Sequence, residues 1–140
     1  GLNTIAYYII AMATTIQIDE KTLHITIRSR EQLDEIEIVI RSLIILLNKI
    51  TFLKTYFAIK KKNDKILINN ENLIIINMII YFFQENSDVL FAGNECVNMH
   101  SHDSRITIEC KKNIDEVSLE VFDTIYNTYF KIKEFFEKNK

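Results

Sequence analysis

Four side chains able to ligate a metal crowd into one stretch of the chain. Cys96, His100 and His102 have the spacing C-x3-H-x-H, and Cys110 follows beyond Asp103. Two thiolates and two imidazoles are a donor set for tetrahedral zinc, and a hairpin could carry both ends of the segment to one point. Zinc is therefore the one cofactor the sequence suggests, although zinc fingers and ribbons pair their ligands more closely on tight turns. The same residues could supply a thiol nucleophile and an imidazole base, with Asp103 beside His102 to orient the ring. A reactive thiolate needs a helix N-terminus or a cationic neighbour, which adjacency in the sequence does not demonstrate. Against both readings stands the plainer expectation of a polar loop and two small, buried thiols.

Arg28, Arg30 and Arg105 fall at strand ends or edges, where planar guanidinium groups can clasp a ligand carboxylate or phosphate. The acidic residues Glu31, Asp34 and Glu35 nearby make ordinary surface ion pairing the competing expectation. Lys60, Lys61, Lys62 and Lys65 form the densest positive run, expected as the solvated tip of a hairpin. No aromatic residues interleave with those lysines to stack on bases, so nucleic acid is the least favoured partner.

An alternation of strands and helices must position these groups. Thr14–Ile18 and Leu23–Arg28 alternate polar and apolar residues around Asp19-Glu20-Lys21-Thr22, which is a hairpin pattern, and Leu2–Ile10 offers a further strand. Ser29 can cap the helix that follows, with Gln32 completing a capping box. In that helix Leu33, Ile36, Ile40, Leu43, Leu47 and Ile50 recur at spacings of three and four. Val39, Ile44 and Leu46 widen the stripe beyond what one covering layer can hide.

Thr55–Ile59 and Ile66–Ile68 flank the lysine run as a second hairpin. Leu73–Phe83, preceded by Asn69, Asn70 and Glu71 as cap residues, is the second helix. Val89–Phe91 and Arg105–Cys110 form the third strand pair, separated by a polar excursion over 92–104. Ile106 and Ile108 share one face there, and Arg105, Thr107 and Glu109 the other. Asn113 can cap the last helix, whose first turn carries Asp115 and Glu116 where the macrodipole favours acids. Val121, Phe122, Ile125, Tyr129, Ile132 and Phe136 mark its apolar side. The expected fold is α+β, a mainly antiparallel sheet built from three successive hairpin–helix (ββα) units with helices covering one face. A single domain over 1–140 is expected, with residues 1–11, ahead of Met12, as an upstream extension or cloning remnant.

Composition narrows the function classes. A chain of 140 residues with 48% hydrophobic and 26% charged residues is too apolar to be disordered. A net charge of -2 gives no long-range pull on a polyanion, and two glycines without a proline leave no phosphate-cradling loop. Two cysteines are too few for a disulfide framework, which points to a reducing, cytoplasmic setting. Leu2–Ala13 is apolar but short for a bilayer and lacks a basic flank, so neither secretion nor membrane insertion is expected.

The segment Ala13–Thr22 resembles the opening strand of prokaryotic ribbon-helix-helix antitoxins, a family that reads DNA with a strand pair formed across a dimer. In that family the strand leads directly into a helix. Here Leu23–Arg28 reads as a second strand and the chain runs well beyond such a unit, so the resemblance ends at Thr22.

Three functions follow in order. The first is a non-enzymatic binding protein, expected as a homodimer, that engages a protein partner or a small ligand. A zinc-binding protein or metal-dependent enzyme centred on 96–110 comes second, and a nucleic-acid accessory protein third. The first leads because no catalytic motif is visible and the helices carry more apolar surface than a small sheet can hide.

Overall fold

The computed structural model describes residues 35–60, 65–68, 71, 73–98 and 103–139. In chain order these form α1 (Glu35–Lys60), β1 (Lys65–Ile68), α2 (Leu73–Glu85), β2 (Val89–Asn98), β3 (Asp103–Cys110) and α3 (Ile114–Lys138). The architecture is α+β, with three helices and a three-stranded antiparallel sheet ordered β1-β3-β2. Among the described residues one hairpin–helix unit is present, β2–β3–α3, in place of three in succession. The hairpin expected over Thr14–Arg28, the strand over Leu2–Ile10 and the Ser29 cap lie outside the described residues.

The apolar seam forecast for the first helix is buried at Ile40, Leu43, Leu47 and Ile50, but it does not stop there. Leu53 and Phe57 prolong the same spacing and are each 1% exposed. Thr55–Ile59, expected as a strand, is therefore the final part of α1. Burial at every third and fourth residue outweighs the strand preference of Thr, Tyr, Phe and Ile. This corrects the second hairpin. Lys60 closes α1 and Lys65 opens β1, so the lysine run bridges a helix and a strand. A cation at a helix C-terminus complements the macrodipole.

Leu73–Phe83 is helical as expected, and α2 runs on to Glu85. Ile75, Ile76, Met78, Ile79, Ile80, Phe82 and Phe83 are buried in it, each contributing about 1.5–3 kcal/mol of transfer free energy. The rings of Phe57, Phe83 and Phe122 join the three helices at the centre of the core. Phe122 meets Phe57 edge-on at 4.9 Å between centroids and Phe83 at 6.2 Å. Asn113 caps α3 as forecast, its Oδ1 accepting from the Asp115 N–H at 2.8 Å.

The sheet alternates as its central strand predicts. Ile106 pairs with Ile66, and Ile108 with Ala92, on the face that the helices cover, and all four side chains are buried. Lys65, Leu67, Arg105, Thr107 and Glu109 occupy the other face. The excursion forecast over 92–104 is mostly strand, because β2 continues through Gly93, Asn94 and Glu95 to Asn98. Its polar composition suits an edge strand with one open face. At Gly93 the Phe91 ring lies against the backbone, and an added Cβ would stand 2.8 Å from the ring's Cζ. Glycine lets that ring lie down on the sheet.

One end of the molecule is tied by charge. Lys112 Nζ reaches Asp88 Oδ2, in the turn after α2, and Glu120 Oε1 on α3, both at 3.2 Å. Hydrogen bonds to Glu120 and Asp88 hold its ammonium above the usual 10.5. The Lys111 N–H donates to the Asp88 carbonyl at 2.7 Å beside them.

Candidate functional site

The hairpin register separates the two cysteines. Cys96 stands opposite Ser104 and Cys110 opposite Val89, at the two ends of the ladder. Six residue steps along β3 separate those rungs, roughly 20 Å at the usual strand rise. Two thiolates on one zinc lie within about 4 Å of each other, so Cys110 cannot join Cys96 in a site. A disulfide between them is excluded by the same separation. The four-ligand set is thus broken by the long β2–β3 pairing that the sequence underestimates. Cys110 is half-buried and packs against the core, while His100 and His102 lie outside the described residues. Among the described residues no group of three His, Cys, Asp or Glu side chains is placed to hold a metal ion.

Of the arginine set, Arg105 alone is among the described residues. Arg105 sits on the open sheet face and reaches Glu95 across the strand pair at 3.5 Å. Its charge is met there by its own chain. Arg28 and Arg30 lie outside the described residues.

A cleft of ≈ 370 Å³ opens between the end of α2 and the middle of α3, lined by Tyr81, Phe82, Glu85, Asn86, Val121 and Thr124. Most of its polar groups serve the fold. Asn86 Oδ1 accepts from the Asp88 N–H at 2.8 Å, and Thr124 Oγ1 donates to the Glu120 carbonyl at 2.9 Å. Burial, and then the Glu85 carboxylate, push the Tyr81 phenol above its usual 10.0. Tyr81 stays protonated at neutral pH, as a hydrogen-bond donor rather than a base. The cleft can hold a small polar ligand, and nothing in it forms a nucleophile–base pair.

Large apolar residues are exposed at scattered points such as Leu90, Phe91 and Phe135, and the outward side of α1 carries a run of them that the other described elements leave uncovered. Ile44 (43% exposed), Ile45 (37%), Phe52 (60%) and Ile59 (70%) all lie on it. Ile45, Phe52 and Ile59 are seven apart, so they stack along one line of the helix. Asn48, Thr51, Thr55 and Ala58 fill the same exposed side. Thr51 Oγ1 donates to the Leu47 carbonyl at 3.0 Å and Thr55 Oγ1 to the Thr51 carbonyl at 3.3 Å. Hydroxyls turned back onto their own helix leave methyl groups outward. The neighbouring cations are engaged elsewhere: Lys49 bonds buried Glu71 at 3.0 Å and Lys54 bonds Asp123 of α3 at 2.9 Å. No Asp, Glu, Lys or Arg projects from this side between Arg41 and Lys60.

The chain matches no family model and no curated protein.

The α1 stripe is what the sequence reading missed. Ile44, one of the residues expected to widen the stripe past a single covering layer, is 43% exposed, beyond the cover that α3 and the sheet provide. The signal was available in the seven-residue repeat of Ile45, Phe52 and Ile59, and ending the helix at Ile50 concealed it. Among the described residues no helix is long and apolar enough to cross a membrane.

Proposed function

We propose that the protein is a non-enzymatic binding protein that acts as a homodimer and engages a protein partner or a small ligand. The observation that carries this reading is the uncharged apolar side of α1, on which Phe52 and Ile59 are 60% and 70% exposed. A contiguous apolar surface of that kind on a small protein marks an interaction site. The cleft beside Tyr81, at ≈ 370 Å³, supports the ligand half of the reading, since it lies within the size range of small-molecule sites. Cysteines at opposite ends of a hairpin suit thiols in a reducing cytoplasm.

Sedimentation equilibrium from low to high micromolar protein tests the dimer. The expected mass is twice the 16.5 kDa of one chain. A strictly monomeric protein at high micromolar concentration overturns it.

A further inference from the structure

We infer that the outward side of α1 is where two copies of this chain meet, with the two α1 helices packed antiparallel about a twofold axis level with Ile50. This rests on the homodimer reading and adds the surface and the register. Along the stripe, large residues alternate with smaller or flexible ones: Arg41, Ile45, Asn48, Phe52, Thr55, Ile59. A twofold axis between Asn48 and Phe52 lays large on small. Ile45 then meets Thr55 of the partner subunit, Phe52 meets Asn48 of the partner subunit, and Ile59 meets the aliphatic stem of Arg41 of the partner subunit. A twofold contact must fit itself, and this order does. A parallel pairing sets Phe52 on Phe52 and forfeits the fit.

Charge favours the same occupant. Apart from Arg41 at its end, which pairs with Glu37, the stripe offers no cation to an anionic lipid, an acidic peptide or a nucleic acid, and the lysines that flank it are paired within the chain at Lys49–Glu71 and Lys54–Asp123. A second stripe of the same kind meets it without repulsion. The two Asn48 amides fall about 6 Å apart along the axis, close enough to bond to each other and fix the register, a role a lone Asn plays in helix pairs. The exposed residues from Ile44 to Ile59 present on the order of 700 Å² per copy, so a pair can bury up to about 1,400 Å², which is within the range of specific complexes.

Cysteine crosslinking decides the matter, with Cys96→Ser and Cys110→Ser as background and circular dichroism to confirm the fold. The double variant Ile45→Cys/Thr55→Cys cannot close on itself, because its two positions are about 15 Å apart along one helix. Mild oxidation is expected to convert most of it to covalent dimer, and to leave Ile45→Cys alone monomeric on a denaturing gel. Phe52→Lys is expected to weaken dimerisation at least a hundredfold without loss of helix. Efficient crosslinking of the single Ile45→Cys variant would mean parallel packing and overturn the register. A wild-type dimer that Phe52→Lys leaves intact, with no crosslink from the double variant, places the dimer elsewhere: the inference fails and the homodimer reading stands. A wild-type monomer whose unfolding midpoint drops sharply in Phe52→Lys means that the chain's own residues cover the stripe, and both readings fail.

Discussion

Helices α1 and α2 solve the burial problem in opposite ways. α2 is the more apolar of the two, yet the rest of the molecule encloses it, with β2 on one side and α3 on another. Its exposed apolar residues are confined to the first turn, at Leu73 and Ile74, and Asn77, Gln84 and Glu85 supply the rest of its solvent side. α1 is longer and buries an equally continuous seam, but its opposite side carries Ile45, Phe52 and Ile59 where solvated charges are usual. High apolar content identifies a core helix, whereas missing charge on the outer side identifies a helix with something still to meet. The second signal is positional and no average of composition contains it.

The largest test of this contrast is a pair of truncations. Phe83→Ala, in the centre of the aromatic core, is expected to cost about 3–5 kcal/mol in urea unfolding. Phe52→Ala, measured at concentrations below dimerisation, should change stability by less than about 0.5 kcal/mol. Comparable losses at the two sites would erase the distinction between a closed helix and an open one. Next is the tie from α1 to the connector ahead of α2, the Lys49–Glu71 pair with the carboxylate side chain only 9% exposed. Lys49→Met should cost about 1–3 kcal/mol, since it removes a cation from a buried carboxylate, and Glu71→Gln should cost less. Equal losses would show that the charge on Glu71 is not what matters there.

A smaller effect of opposite sign is expected beneath the helices. Ser104 is 1% exposed and its Oγ has no hydrogen-bond partner among the described residues. Ser104→Ala should raise stability by about 1 kcal/mol, because it removes an unsatisfied polar atom without changing the shape of the sheet. A loss instead would reveal a partner for the hydroxyl. The smallest effect belongs to the open end of α2. In a spectrophotometric titration Tyr81 should ionise above 10.0, and Glu85→Gln should bring it only part of the way back because burial is the larger cause. With the folded value raised, this phenol's contribution to stability is complete below pH 10 and lost as pH climbs through the folded value. A full return in Glu85→Gln would make the carboxylate, not burial, the cause.

Much of the described fold was legible where a single pattern ruled. Leu73–Phe83 has the length of a helix and cap residues before it, Asn113 announces α3, and Ile106 and Ile108 assign the inner face of β3. Two competing signals misled the reading elsewhere. In Thr55–Ile59, strand-favouring residue types masked the helical recurrence of Leu53 and Phe57. In Gly93–Asn98, polar residues hid a strand, because an edge strand with an open face need bury little. That second error also created the four-ligand site. With β2 taken as ending at Phe91, a long loop seemed free to bring Cys96 to Cys110, whereas the ladder holds them at its two ends. No local spacing reports a register of that kind, which is settled by backbone pairing over the whole hairpin.

The cluster around Lys112 gives this end of the molecule a sensitivity that its core does not share. Where Asp88, Lys112 and Glu120 meet, solvent-facing ion pairs join the Lys111–Asp88 backbone hydrogen bond in fastening the connections into β2 and α3. Concentrated electrolyte screens such contacts, yet it has little purchase on the packed phenyl rings of Phe57, Phe83 and Phe122. As ionic strength rises, amide exchange should therefore quicken first in these two connections, while the protein's interior keeps its protons.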